Sequence, residues 1–131
     1  MNPNYYSVGG ARAISEIVDD LYDRVQADPM LATWFVGQDM NRLKSHQWTF
    51  LAELLGGNFH YGGRHLSHSH SGLGIDDEAF DRFLGHVRAA FVAHGAPAET
   101  VEDTMAKLES LRRSIVSVRR AVPAVESGLR R

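Results

Sequence analysis

The stretch NRLKSHQWTFLAELLGG, residues 41–57, has the periodicity of an amphipathic α-helix and sets the fold class. Its apolar side chains recur at steps of three and four, which predicts one inner helical face. These side chains are Leu43, Phe50, Leu51 and Leu54. His46 and Gln47 lie between them on the same predicted face, where a helix that only packed a core would carry Leu or Ala. The stretch therefore predicts a helix whose inner face has a role besides packing the core, carried by polar side chains.

The same helical periodicity recurs on both sides of this stretch. Residues 11–27 carry apolar side chains at steps of three and four. The Asp-Pro pair at 28–29 predicts the N-cap and first residue of a short helix that ends near Phe35. Further helices are predicted to begin at residues 76–77 and at Pro97. No segment alternates with a period of two, so the sequence predicts an all-α protein.

The composition is that of one ordinary globular domain of 131 residues. A formal net charge of −2 attracts neither nucleic acid nor an anionic membrane, and the absence of cysteine excludes thiolate metal sites. We assign residues 1–120 to the domain and 121–131 to a tail that frays. The start MNPNYYSVGG lacks a basic segment followed by an apolar run, so we expect no signal peptide and a cytoplasmic protein.

Residues 56–75, GGNFHYGGRHLSHSHSGLGI, combine six glycines with four histidines. A segment of this length without clear periodicity is uncommon in a compact domain and is often functional. Two helical turns within it would place Leu66, His70 and Leu73 on one face. The histidines are alternatively the ligands of a zinc or nickel site, although their spacing does not match the usual tetrahedral sites. They are His60, His65, His68 and His70.

Polar side chains interrupt three of the apolar faces. Tyr22, His46, Gln47 and His70 each have an ordinary interpretation as hydrogen-bonded core residues. Together they suggest a haem site, because a neutral imidazole suits one side of the iron and hydrogen-bond donors suit a ligand on the other. Apolar side chains from several helices would cover the porphyrin. These are Phe35, Phe50, Leu51, Leu54, Leu66, Phe83 and Val87.

The ordered motifs of the chain resemble those of group I truncated haemoglobins, shortened globins that fold two-over-two around a haem. The resemblance runs from about Tyr5 to Val118. Its glycine pairs fit a short chain that must turn sharply between helices. The motifs are VGG at 8–10, DLYDRV at 20–25, WF at 34–35, RLKSHQWTFL at 42–51, LGG at 55–57, YGGR at 61–64 and HSGLGI at 70–75.

The resemblance implies roles for the residues on the two sides of the haem. His70 matches the proximal iron ligand, and Phe35 matches the aromatic residue that packs on the porphyrin. Tyr22 and Gln47 match the distal pair that hydrogen-bonds dioxygen. Leu43 stands where many longer globins have a distal histidine.

The resemblance also implies roles at the edge of the pocket. Leu51 flanks the apolar access tunnel of the family, and Arg42 matches a basic residue near the haem propionates. Arg64 would assist there on electrostatic grounds. His46 matches a position where some cyanobacterial members bind the iron directly. We take a position at the pocket rim as the default for His46, and direct coordination as the alternative.

The family resemblance implies one haem b per chain that reversibly binds dioxygen, carbon monoxide and nitric oxide. The last helix has no histidine where some members link to a haem vinyl group, so the haem is expected to be non-covalent. A candidate activity is the oxidation of nitric oxide to nitrate, which needs an unidentified reductase. We expect a monomer or a weak dimer. The rival hypotheses are a cofactor-free helical interaction module and a small histidine-bound metal protein that uses residues 60–70.

Overall fold

The structure, a computed structural model, describes residues 3–56 and 74–116, and this part of the chain is helical without strands. The assignment of residues 1–120 to one domain and of 121–131 to a tail involves residues outside the described ranges. The helices are α1 (Pro3–Ser7), α2 (Gly10–Gln26), α3 (Pro29–Ala32), a 3₁₀ turn (Thr33–Phe35), α4 (Met40–Gly56), α5 (Asp77–Ala93), α6 (Ala98–Glu109) and α7 (Arg112–Ile115). The predicted all-α class is confirmed. No helix in the described ranges is both long and apolar enough to cross a membrane.

Helix α2 is the central helix of the core and contacts both α4 and α5. Its predicted inner face is confirmed, because Ile14, Leu21 and Val25 are almost fully buried. The glycine pair before it makes a sharp reversal in which Gly9 has φ 112° and Gly10 has φ 77°. A Cβ added at Gly9 would lie 2.8 Å from the Cβ of Ala13, so this position requires glycine.

The reversal lets α1 fold back against α2 and α4, and the sequence analysis did not predict this short helix. Asn4 of α1 also reaches α6, where its side-chain amide donates to Asp103 Oδ2 at 2.6 Å and its oxygen accepts from Thr100. Five residues are too few for a helix to be stable without such contacts.

Side-chain caps set the starts of the next three helices. Asp28 accepts a hydrogen bond from the amide of Met30 at 3.0 Å, which confirms the predicted N-cap of α3. Asp39 accepts from the amide of Arg42 and caps α4. Asp76 accepts from the amide of Ala79 and caps α5. The predicted helix starts are therefore confirmed, since each cap satisfies an amide that has no partner within its helix.

The helix that is predicted to begin at Pro97 is divided in the structure, where α6 ends at Glu109 and α7 begins at Arg112. The hydroxyl of Ser110 donates to the carbonyl of Lys107 at 2.6 Å, which competes with the helical pattern at that turn. Arg112 then binds Asp77 of α5 and Glu109 of α6. The break keeps Leu111 in the core while Arg112 holds α7 against the start of α5.

The packed helices form two pairs, α2 with α4 and α5 with α6, and α2 also packs on α5. The side chains between the pairs form one hydrophobic core. Lys107 of α6 donates to the carbonyl of Leu54 near the end of α4, where helical carbonyls lack partners within the helix. The two-over-two arrangement that the motifs predict is therefore confirmed.

Candidate functional site

The side chains of Tyr22 and Gln47 meet between α2 and α4. The Tyr22 hydroxyl donates to Gln47 Oε1 at 3.2 Å, although the two residues are 25 positions apart in the sequence. The tyrosine is 5% exposed and Gln47 is half-buried. The structure therefore brings together the two residues that the sequence analysis assigned to one distal pair.

Phe35 packs against the same tyrosine from the 3₁₀ turn. The two rings lie edge to face, with centroids 5.8 Å apart and an interplanar angle of 84°. This geometry is favoured because the positive edge of one ring faces the negative face of the other. Phe35, Tyr22 and Gln47 thus bring three separate elements, the 3₁₀ turn, α2 and α4, to one place.

Burial keeps the Tyr22 hydroxyl protonated. Desolvation raises the pKa of Tyr22 to about 12, because the phenolate would lose its hydration in this environment. The hydroxyl is therefore a hydrogen-bond donor over the whole physiological pH range. Since Gln47 accepts through its oxygen, its amide nitrogen keeps two donors, and no partner for them is found among the described residues.

Several large apolar side chains of α4, α5 and the 3₁₀ turn are incompletely covered. Leu43, Phe35, Phe50 and Phe83 are half-buried, although side chains of this size are usually covered in a core. By contrast, Leu51, Leu54 and Val87 are each no more than 2% exposed and belong to the hydrophobic core. Contact of a bound porphyrin with either set of side chains stays a prediction.

His46 does not lie on the buried face of α4, so that part of the sequence interpretation was wrong. Its side chain is exposed, whereas Gln47, the next residue, is half-buried. Successive helical residues diverge by about 100°, and the buried side of α4 is centred beyond Gln47 on Leu51 and Leu54. The default placement of His46 at a pocket rim stays a prediction. Coordination of iron by His46 is not tested by this structure.

Arg42 precedes His46 by one helical turn and is also exposed. Its backbone amide is used in the Asp39 cap, while its guanidinium forms no ion pair with a described residue. In residues 3–56 and 74–116, each other lysine or arginine has an ion pair or another interaction. The Arg42 side chain is thus exposed and has no ion-pair partner among the described residues.

The sequence analysis missed a buried charged cluster around Asp28. Arg82 of α5 binds both carboxylate oxygens of Asp28 at 3.0 Å, and His86 Nε2 lies 2.8 Å from Oδ2. Arg82 and His86 hold the pKa of Asp28 well below its usual range. The i, i+4 spacing of Arg82 and His86 indicated a shared helical face, but nothing local to α5 indicated its partner.

A separate cleft of about 360 Å³ lies between α2 and α4. An ion pair between Lys44 and Asp19 lies in it, with 3.3 Å between the nitrogen and the oxygen. Trp48 lines the same cleft and donates to the carbonyl of Ala11. Neither Tyr22 nor Gln47 lines it, so the cleft is distinct from the candidate site.

The proximal part of the predicted site lies outside the described residues. Across residues 3–56 and 74–116, no group of three or more histidine, aspartate or glutamate side chains is arranged to hold a metal ion. The alternative histidine cluster and the haem-facing residues of the glycine-rich segment involve residues that the structure does not describe. These residues are His60, Arg64, His65, Leu66, His68 and His70.

Comparison with known proteins gives one consistent family. A family model described as bacterial-like globin matches residues 4–117. The group 1 truncated hemoglobin GlbN of Mycolicibacterium paratuberculosis is 37% identical over 113 residues, covering 86% of this chain and 83% of the relative.

Two solved structures are also similar. The Fe(III) crystal structure of truncated hemoglobin from Tetrahymena pyriformis has a TM-score of 0.78 and 26% identity, covering 86% of this chain and 97% of that one. A 2/2 hemoglobin from a Synechococcus species, solved with covalently attached heme, has a TM-score of 0.79 and 23% identity. It covers 88% of this chain and 98% of the other, and at this identity the likeness concerns the fold alone.

Proposed function

Because the chain belongs to the bacterial-like globins and is a group 1 truncated haemoglobin, we propose that it binds a non-covalent haem b. In this proposal Tyr22 and Gln47 set the affinity of the haem for dioxygen. Membership in the globin family supports haem-based binding of diatomic ligands. The single observation that carries the finer proposal is the buried Tyr22 hydroxyl on Gln47, beside incompletely covered aromatic side chains.

The described residues fit a haem. Its iron would supply the binding position for a diatomic ligand, and the chain would supply the donors and the apolar surface around it. Phe35, Phe50 and Phe83 are half-buried and suit the faces and edge of a porphyrin. The Tyr22 hydroxyl and the Gln47 amide are donors suited to a ligand with partial negative charge.

On the proximal side we assign the iron ligand to His70, which rests on the HSGLGI motif and on the predicted Leu66–His70–Leu73 face. A neutral imidazole is the usual proximal ligand in globins. The haem is non-covalent in this proposal because residues 98–116, which include α6 and α7, contain no histidine that could link to a vinyl group.

At the pocket rim we assign Arg42 and His46 to the haem propionates. Both side chains are exposed, they are one helical turn apart, and the guanidinium of Arg42 forms no ion pair with a described residue. An arginine can bind a carboxylate through two parallel hydrogen bonds. Arg64 is proposed as a further cation on this side, on electrostatic grounds alone.

The proposed reaction beyond reversible binding is the oxidation of nitric oxide. One nitric oxide, one dioxygen and one electron combine to give one nitrate, so repeated turnover requires an external reductase. Support comes from the two donors of the Tyr22–Gln47 pair, because retention of dioxygen until nitric oxide arrives requires stabilisation of a partly charged ligand. We also propose a cytoplasmic location and a monomer or weak dimer.

The absorption spectrum of the purified protein in ferric, ferrous and ferrous-CO forms tests the proposal. A haem protein is red and gives an intense absorption band near the violet edge of the visible spectrum, and this band shifts on reduction and on addition of carbon monoxide. A colourless protein that retains zinc would instead support the metal-site hypothesis. A colourless, metal-free protein that does not take up added haemin would support the interaction module.

A further inference from the structure

Asp28 occupies a buried corner where α2 ends and α3 begins. The amide of Asp28 donates to the carbonyl of Val25 at 3.1 Å, and its carboxylate accepts from the amide of Met30 at 3.0 Å. The side chain is 4% exposed. Asp28 therefore takes part in both the end of α2 and the N-cap of α3.

The carboxylate also joins this corner to α5. Arg82 donates to both oxygens from Nε and Nη2, each at 3.0 Å, and His86 Nε2 lies 2.8 Å from Oδ2. The guanidinium and the carboxylate form a bidentate pair, which fixes relative orientation as well as distance. Arg82 is 45% exposed and His86 is 26% exposed, so the cluster has a buried acceptor and a partly hydrated set of donors.

The same corner connects two residues of the candidate site. Tyr22 lies six residues before Asp28 on α2, and Phe35 lies seven residues after it at the end of the 3₁₀ turn. The two rings meet edge to face across this corner. The direction in which α3 leaves α2 thus decides whether Phe35 can support the Tyr22 ring.

We propose that Asp28, held by Arg82 and His86, is a positioning residue that orients the Tyr22 hydroxyl through Phe35. Its relevance to ligand control rests on the proposed function. With the cluster intact, α3 is held against α5, and Phe35 in the 3₁₀ turn that follows α3 limits the ring of Tyr22 to the orientation that meets Gln47. Without the carboxylate charge, the bidentate pair is lost and Phe35 no longer restricts that ring to one position.

Asp28→Asn is the test variant because asparagine caps a helix about as well as aspartate. The substitution keeps an acceptor for the amide of Met30 and removes the charged partner of Arg82. Glu102→Gln is the matched control. Glu102 of α6 forms an exposed ion pair with Arg88, which lies on α5 like Arg82. Arg82→Gln breaks the cluster from its exposed side and provides a second variant if Asp28→Asn folds poorly.

The first readout does not depend on haem. NMR of protein labelled in its tyrosine rings gives signals from four tyrosines, and the signal absent from Tyr22→Phe identifies Tyr22. We expect this signal to shift or broaden in Asp28→Asn and in Arg82→Gln, and to stay at its wild-type position in Glu102→Gln. An unchanged Tyr22 signal in both cluster variants overturns the proposal, whatever happens to the melting temperature.

The second readout uses the haem-loaded protein. In Asp28→Asn, the C–O stretching band of the ferrous carbon monoxide form should move towards that of Tyr22→Phe. Dioxygen dissociation should become about threefold faster, a partial loss compared with the ~10-fold expected when the hydroxyl is removed. A wild-type protein that binds no haem would refute the proposed function, while the haem-free NMR comparison still decides the role of Asp28. A lower melting temperature with unchanged NMR signal, C–O band and dissociation rate would make the cluster a stability element only.

Discussion

Replacing Tyr22 by phenylalanine removes one hydroxyl and little else. The ring that packs edge to face on Phe35 is kept, so the apolar contact at 5.8 Å between centroids should survive. The hydrogen bond to Gln47 Oε1 is lost, together with any bond that the hydroxyl gives to a ligand. The variant therefore separates the polar contribution of Tyr22 from its packing.

The geometry sets the size of the expected effect. At 3.2 Å, the bond from Tyr22 to Gln47 is longer than the usual O–H···O distance of about 2.7–2.8 Å. Turning the hydroxyl from Gln47 to a ligand should thus cost about 1 kcal/mol or less, whereas a bond to a charged acceptor contributes roughly 1.5–3 kcal/mol. With a cost of about 1 kcal/mol, the difference of about 0.5–2 kcal/mol corresponds to dioxygen dissociation that is about 2- to 30-fold faster, at about 1.36 kcal/mol per factor of ten.

Stopped-flow measurement of dioxygen and carbon monoxide dissociation from the ferrous protein provides the assay. Carbon monoxide carries less charge when bound, so its dissociation rate should change by less than about twofold, because a neutral acceptor gains little from the hydroxyl. Tyr6→Phe is the matched control, since Tyr6 is 64% exposed and the same atom is deleted. Its rates for both gases should equal those of the wild-type protein.

The reasoning fails if Tyr22→Phe accelerates dioxygen and carbon monoxide dissociation by the same factor. Equal factors would mean that the substitution changed access to the pocket or its packing rather than a hydrogen bond to a charged ligand. An unchanged dioxygen rate would refute the donor role directly.

Further measurements test the other assignments. His70→Ala should lose most of its haem during stringent purification while His68→Ala retains it, as measured by the ratio of haem to protein absorbance; the reverse result would contradict the assigned ligand. If His46 binds the iron, the ferric protein at neutral pH is six-coordinate and low-spin and His46→Leu converts it to a high-spin or water-bound form, whereas a high-spin spectrum in both proteins rules this out. The guanidinium of Arg82 lowers the pKa of Asp28, so ionised Asp28 stabilises the fold above the ordinary pKa of about 3.9, and this stabilisation is lost as the pH falls through the lower folded value. The melting temperature of Asp28→Asn should therefore lie below that of the wild-type protein at neutral pH and approach it in acid; a difference that is constant with pH would contradict the charged contact.

Local sequence was sufficient for most of the helices. The apolar spacing in α2 and the caps at Asp28, Asp39 and Asp76 act within one or two helical turns, and such short-range patterns are visible in a sequence. The break before α7 was not visible in this way. Ser110 is compatible with a continuous helix as well as with a break, and Arg112 is held by carboxylates on another turn and on α5. Helix α1 was missed for a similar reason, since its contacts are with α2, α4 and α6.

The contact between Tyr22 and Gln47 was predictable, whereas the exposure of His46 on α4 was not. Family motifs identified Tyr22 and Gln47, and the structure brings them into contact. The exposure of His46 could not be read from spacing, because a residue about 100° from the centre of a helical face is covered or open depending on how neighbouring helices cross. Only the packing of α4 against the rest of the fold decides this.

By itself, the sequence determined the helical class, the helix starts and the residue types available for binding, since hydrophobic periodicity and capping are local properties of the chain. Tertiary structure decided which side chains meet. Asp28 is separated from Arg82 by 54 residues and from His86 by 58, yet all three form one charged cluster. A buried carboxylate requires such partners, but the energy of the contact depends on distance in space, which the order of residues along a chain does not specify.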